Sequence, residues 1–266
     1  MRALNRDQIL SNLRGKIGDR YDYIQRNYPV ATACPTCEGL KVYEFRGQAH
    51  ECDCELQALL QQHYFAANIG REYQVLCIED FFPGPDRDMV VPVLEAYVDN
   101  WSSNYHYGIG LTFNGPLGTG KTMAMTVILK ELVKQGVRAY FVTFEDLINT
   151  WGTSYKDNDA KEVLEQRMKR AEILGLDEWR VDGRSASGFL ANGLDSVLRH
   201  RTSNLLPTLV TTNMTRTQEE ADFGKAYSLL SAKNERLTFR GRDQRQDRVR
   251  QETFDLRNRD ERRPIC

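Results

Sequence analysis

The sequence predicts an α/β protein built on a parallel sheet, preceded by a small cysteine-rich module. Three observations carry that prediction. The octapeptide Gly115-Pro116-Leu117-Gly118-Thr119-Gly120-Lys121-Thr122 fits G-x-x-x-x-G-K-[ST], a phosphate-cradling loop that belongs between a strand and a helix. Strand-like runs at 110–114, 138–143, 171–176 and 207–212 alternate with helix-like stretches, the pattern of parallel strands joined by crossovers. Upstream, Cys34-Pro-Thr-Cys37 and Cys52-Asp-Cys54 bring four thiols into one short segment.

Taken in order, residues 1 to about 28 are polar but carry Ile9, Leu10, Leu13, Ile17, Tyr21 and Ile24 at three- and four-residue steps. That spacing predicts an amphipathic helix whose apolar stripe needs a partner, either the cysteine module beside it or another protein. Between the two cysteine pairs, Lys41 to Phe45 reads as a strand. A C-x-x-C followed closely by a C-x-C can wrap one tetrahedral ion with four thiolates. Such a shell has no open position, so a Zn²⁺ held by Cys34, Cys37, Cys52 and Cys54 would be structural. The competing reading is a redox pair or four free thiols. His50 is a substitute ligand ranked below the cysteines, and Cys77 and Cys266 read as bystanders. Residues 55–75 read as a helical connector, Phe81 to Asp86 as a loop, and Pro92 to Trp101 as a helix. Thr143-Phe-Glu-Asp146 has capping-box character and opens a helix through Thr150.

The glycine-rich loop explains the next residues. A strand, a turn of backbone N–H groups and a helix N-terminus suit a phosphate. Lys121 would reach the β- and γ-phosphates of ATP, and the Thr122 hydroxyl would ligate Mg²⁺. Hydrolysis needs two further groups, and Ile173-Leu-Gly-Leu-Asp177-Glu178 supplies both at the end of an apolar strand. Asp177 would organise Mg²⁺, and Glu178 would orient and deprotonate the attacking water. The next strand, Pro207 to Thr212, ends at Asn213, the best candidate for a contact to that water or to the γ-phosphate, with Thr212 next. Arg236, Arg242 and Arg245 follow a helix-like stretch from Lys225 to Lys233. One of them could reach a neighbour's γ-phosphate as a finger, or its own nucleotide as a sensor.

The totals are compatible with this. The chain has 266 residues, 41% hydrophobic and 27% charged, with net charge −1, so bulk charge argues neither for nor against nucleic acid. From residue 236 onward ten Arg face six Asp/Glu, a mildly basic tail. No apolar run approaches a membrane span, and the first residues lack a signal-peptide core, so the expectation is a cytoplasmic protein with reduced thiols.

In their linear order these motifs resemble the DnaC/DnaI-type bacterial and phage helicase loaders and the IstB-type transposition ATPases, both within the AAA+ class. Three stretches carry the similarity: Gly110 to Thr122, Ala171 to Glu178, and Leu198 to Asn213. The cysteine module resembles the zinc-bearing N-terminal domain of the DnaI-like branch. The resemblance implies an AAA+ core with a small or abbreviated helical lid, and nucleotide held between self-associating subunits. It implies ATP-controlled binding of single-stranded DNA and delivery of a hexameric replicative helicase; an IstB-like helper would partner a transposase instead. A P-loop small-molecule kinase fits less well, given the Thr-Thr-Asn strand and the late arginines. By position, Arg236 matches the family's finger, Arg245 (or Arg242) its sensor 2, and Arg201 an arginine that could face a neighbouring subunit. Candidate DNA contacts are Tyr155, Lys156, Lys161, Trp179, Arg180 and Arg184. Trp179-Arg180 departs from the apolar residue and glycine common in the family. The implied division is 1–56 for the helicase-docking cysteine module, 57–75 for the connector, 76–245 for the ATPase and 246–266 for the Arg-rich tail.

Overall fold

The computed structural model describes residues 4–14, 34, 36–38, 40–152, 158–180, 188–250 and 266. Helix α1 (Arg6–Leu13) opens with a capping box between Asn5 and Gln8. A hairpin follows, β1 (Val42–Phe45) and β2 (Gln48–Glu51), then α2 (Cys54–Ala66) and the short α3 (Arg71–Gln74). Helices α4 (Pro85–Asp99) and α5 (Trp101–Tyr107) lead into strand β3 (Gly110–Asn114) and helix α6 (Lys121–Lys134). The remaining order is β4 (Ala139–Thr143), α7 (Phe144–Gly152), α8 (Asn158–Arg170), β5 (Ile173–Trp179), α9 (Gly188–Ser203), β6 (Thr208–Thr212), α10 (Arg216–Phe223), α11 (Lys225–Ser231) and β7 (Asn234–Thr238).

The five long-range strands form one parallel sheet in the order β4-β5-β6-β3-β7. Alternation along each strand sends successive side chains to opposite faces. Phe141, Ile173 and Leu209 join a core with α1, α2, α4 and α6, while Val142, Leu174, Leu176 and Val210 join a second core with α7, α8, α9 and α11. The product is a three-layer α/β sandwich, as strand–helix alternation predicts. The edge of β4 is covered: Phe141 N–H donates to Ala67 O (2.8 Å), and the Asn68 amide donates to Phe141 O (2.9 Å).

Helix α1 spends its stripe inside the molecule. Ile9, Leu10 and Leu13 are buried, the Asn12 amide donates to Lys134 O (3.0 Å) at the end of α6, and Arg6 pairs with Glu51 (2.6 Å) and Asp53 (3.3 Å). Ile17, Tyr21 and Ile24 lie outside the described residues. Helix α2 is more than a spacer, since Leu60 and Tyr64 are buried in the same core as α6.

Several expectations are corrected. The sheet has a fifth strand, β7, which reads poorly from Asn-Glu-Arg-Leu-Thr because an edge strand buries little; only Leu237 in it is buried. Pro92 does not start a helix. Pro85 occupies the first turn of α4, and the chain stays helical through Pro92 because Val90, Leu94, Tyr97 and Val98 form one buried face. Cys77 and Cys266 are not bystanders but a disulfide, against the expectation of reduced thiols throughout. Arg201 faces no neighbour. It is fully buried, donating from Nε to Thr208 Oγ1 (3.0 Å), from one Nη to Met168 O (2.6 Å) and Ala171 O (2.8 Å), and from the other to Pro207 O (2.6 Å).

Candidate functional site

Strand β3 delivers the phosphate loop. Gly115 N–H donates to Thr212 O (3.2 Å), and Asn114 bonds across to Met214 O (2.7 Å), so the loop is anchored to the strand beside it. Two glycines are required sterically. Gly115 has φ +150°, and a Cβ there would stand 2.4 Å from Phe239 O; Gly118 has φ +72°, and its Cβ would meet the Asp243 carboxylate at 2.0 Å. Pro116 and Thr119 close the turn through a hydrogen bond from Thr119 Oγ1 to Pro116 O (2.9 Å). Leu117 is exposed at its tip. Gly120 precedes α6, whose first residues are Lys121 and Thr122. Lys121 Nζ donates to Gly115 O (2.8 Å) and Pro116 O (2.5 Å), and burial lowers its pKa. These carbonyls are the partners a phosphate would replace.

The acidic pair stands opposite. The Thr122 hydroxyl donates to both Asp177 oxygens (3.0 and 3.2 Å), and Thr211 Oγ1 donates to Oδ1 (2.5 Å). Burial raises the Asp177 pKa against these hydrogen bonds. Glu178 takes φ +56° where the β5–β6 register shifts, and its N–H donates to Thr211 Oγ1 (2.9 Å). This bulge turns the chain so that two adjacent carboxylates serve different places: Asp177 is buried beside Thr122, while Glu178 opens onto the pocket. Asn213 lines the same pocket. Thr212 is committed elsewhere, its Oγ1 donating to Trp179 O (2.9 Å) and accepting from Met214 N–H (3.0 Å). The pocket holds about 380 Å³, within the range of small-ligand clefts.

Residues 108–261, more than half of the chain, match the model of the IstB-like ATP binding protein family. The chain belongs to that family. Its curated relative is the replicative helicase loader DnaI of Bacillus subtilis (strain 168), 24% identical over 181 residues, which are 67% of this chain and 55% of the relative. The chain thus spans about half the length of that relative. Among solved structures, the DnaC helicase loader superposes with TM-score 0.57 at 22% identity over 64% of this chain and all of that one. AMPPCP-bound DnaA from Aquifex aeolicus superposes with TM-score 0.54 at 15% identity, over 73% of this chain and 58% of that one. The likeness to these solved structures establishes the fold, and the family match makes the chain an IstB-like ATP binding protein.

Within this IstB-like ATP binding protein the arginines separate. Arg245 lines the pocket and its charge bears on Lys121, whereas Arg242 is largely exposed and paired with Asp247 (2.8 Å). Arg236 departs from the finger expectation. It lies within β7, its side chain 14% exposed, and its guanidinium is bound to Glu219 of α10 in the same chain. A finger must project from the surface, and this one is consumed in a largely buried pair. Arg248 was missed. It lines the pocket one helical turn after Arg245, with an Nη 2.9 Å from Met123 Sδ. The i, i+3 spacing of Arg245 and Arg248 is the signal that could have found it. Of the DNA candidates, Trp179 is buried against Phe223 (4.3 Å between centroids) and Phe144, so it cannot stack on a base. Lys161 lies 4.0 Å from Glu165, and Arg180 lies 3.8 Å from Glu178. Tyr155, Lys156 and Arg184 lie outside the described residues.

The cysteine pairs converge. The sulfurs of Cys34, Cys37, Cys52 and Cys54 all lie within 4.8 Å of one another, with Cys34–Cys52 and Cys37–Cys54 both at 3.6 Å. A tetrahedral Zn²⁺ with bonds of about 2.3 Å needs sulfur–sulfur edges of about 3.8 Å, so the donor set fits. Backbone N–H groups of Cys37 and Thr36 lower the Cys34 thiol to about 6, while burial and the other thiols push Cys54 up to about 12. Thiolate ligation of a metal requires deprotonated sulfur, so metal binding here would release protons. His50 is not among the converging ligands; its ring stacks on Tyr43 (5.6 Å). Purified protein should contain about one zinc per chain, and Cys37→Ser should cut that content sharply on elemental analysis. Metal-free wild-type protein prepared without chelators would count against the site.

Proposed function

We propose that this chain is an ATP-driven helicase loader: it binds ATP with Mg²⁺, hydrolyses it slowly to ADP and phosphate, and delivers a hexameric replicative helicase onto single-stranded DNA. The observation that carries the nucleotide half is the Thr122–Asp177 contact with Glu178 and Asn213 on the same pocket. Thr122 and Asp177 would hold the metal, which would screen the phosphate charge; Lys121 would leave its two carbonyls for the phosphates. Glu178, at the pocket wall, would take a proton from water, and Asn213 would orient that water. Arg245 would read the phosphates from the side of the tail.

The loader half rests on the cysteine module carried in the same chain and on the DnaI relative. The proposed division is docking by 1–56, connection by 57–75, ATP chemistry by 76–245 and a basic tail at 246–266. Nucleotide shared between self-associated subunits belongs to this reading, with Arg236 removed as its finger. Among the described residues no helix is long and apolar enough to cross a membrane.

The test is co-purification of the full chain with a hexameric replicative helicase, with ATP, with ADP and with no nucleotide. Removing residues 1–56 is a poor variant, because it takes Ile9 and Leu13 out of the ATPase core. Lys121→Ala is better. It should abolish ATP binding and the ATP dependence of the complex, since the P-loop lysine meets the phosphates directly. Capture of a transposase in place of the helicase would support the IstB-like alternative and overturn the loader reading.

A further inference from the structure

Arg245 comes to the pocket on a segment that has already left the sheet, since β7 ends at Thr238. The path of that segment is fixed at three points. Phe239 N–H donates to Asn114 O (2.7 Å) at the end of β3. The Asp86 carboxylate then takes two successive N–H groups, that of Arg240 (3.0 Å to Oδ1, 3.1 Å to Oδ2) and that of Gly241 (2.6 Å to Oδ2). Last, Gln244 N–H donates to Gly118 O (3.0 Å) in the phosphate loop. One residue later Arg245 stands in the pocket beside Lys121 and Thr122.

The middle point is a side chain brought from far along the chain, and both of its halves are prepared. Asp86 lies in the first turn of α4, after Gly84 and Pro85, where the free N–H end of a helix favours a carboxylate. Opposite it, Gly241 lets the backbone come close: a Cβ there would stand 2.7 Å from Asp86 Oδ2. Two successive N–H groups converging on one anion is how a backbone nest holds phosphate, and here a carboxylate of the same chain fills it. Bonds to such an acceptor are the stronger kind. Losing them would lengthen the untethered approach to Arg245. We propose that Asp86 is a positioning residue of the nucleotide site: by gripping the Arg240 and Gly241 N–H groups it holds the descending segment against the phosphate loop and so sets the Arg245 guanidinium in the pocket. The role rests on the nucleotide reading above and adds to it a residue that lines no part of the pocket itself.

The test is a double-mutant cycle on the full-length chain, read as the Kd of a fluorescent ATP analogue (mant-ATP) with Mg²⁺. The proteins are wild type, Asp86→Ala, Arg245→Ala, the double variant, and Lys121→Ala as the control. Expected is a Kd weaker by about three- to tenfold for Asp86→Ala, the worth of roughly one hydrogen bond. In the Arg245→Ala background the same substitution should change Kd by less than about twofold, because the group it positions is gone. Asp86→Asn keeps one acceptor oxygen and should fall between wild type and Asp86→Ala; if Asp86→Ala does not fold, the cycle is run with Asn. Unchanged binding in Asp86→Ala, or the same loss in both Arg245 backgrounds, would overturn the proposal while leaving the nucleotide site standing. Wild type binding no better than Lys121→Ala would instead remove the nucleotide reading, and this role with it.

Discussion

Glu178→Gln should bind ATP-Mg²⁺ as well as the unchanged protein and hydrolyse it at least about 10²-fold more slowly, the low end of what a general base contributes. The substitution keeps the length, shape and hydrogen-bonding reach of the side chain and removes only its basicity. The backbone makes the prediction specific. A glutamate at φ +56° sits in a region that costs an L-residue roughly 1–2 kcal/mol. That strain is held by the N–H bond to Thr211 Oγ1 and by the register shift beside it. Gln tolerates the same backbone, so the fold is unaffected and the loss appears in turnover alone. Phosphate release under single-turnover conditions, set beside mant-ATP affinity, separates the two. Turnover within threefold of wild type would assign the base elsewhere. A matching loss of binding would mean that Glu178 holds nucleotide instead.

Arg201→Met should destabilise the protein by about 3–5 kcal/mol, as removing one side of a buried charged network does. At this chain length that corresponds to a thermal midpoint lower by roughly 10 °C. The guanidinium uses all three nitrogens on four acceptors, drawn from α8, the turn after it and the start of β6. None of these acceptors is a carboxylate, and burial lowers the Arg201 pKa to about 9, still cationic at neutral pH. The charge is therefore balanced by carbonyl dipoles, which Met would leave unsatisfied. Lysine would not restore them, because one ammonium cannot span four acceptors set in a fork. Calorimetry of wild type, Arg201→Met and Arg201→Lys checks this. A shift below about 3 °C in both variants would show that water reaches the site and solvates the carbonyls.

The two arginine misreadings mark where sequence reasoning stops. The apolar runs of β3, β4, β5 and β6 declare a buried parallel sheet, and the glycine loop and acidic pair declare their own places, because those motifs need a particular backbone. Arg201 and Arg236 carry the same residue type as a finger or a sensor, and spacing cannot tell a guanidinium that faces solvent from one folded into its own chain. Their partners, Pro207 O and Glu219, are set by how helices lie on the sheet. Trp179 is a similar case. As an aromatic beside Arg180 it looks like a stacking platform, and the bulge at Glu178 instead sends it into the second core. Arg248 was legible, one helical turn from Arg245, on a segment whose weak basic bias hides it.

The Cys77–Cys266 bond has a consequence for the chain as a whole. It joins positions 189 residues apart, so every strand of the parallel sheet lies inside one covalent ring. A single proteolytic cut anywhere within that ring would leave two pieces that still migrate together until a thiol is added. The closure also removes conformations from the unfolded chain, worth about 5 kcal/mol for a loop of this size in the chain-entropy account. The oxidised and reduced molecules therefore differ in how completely they come apart.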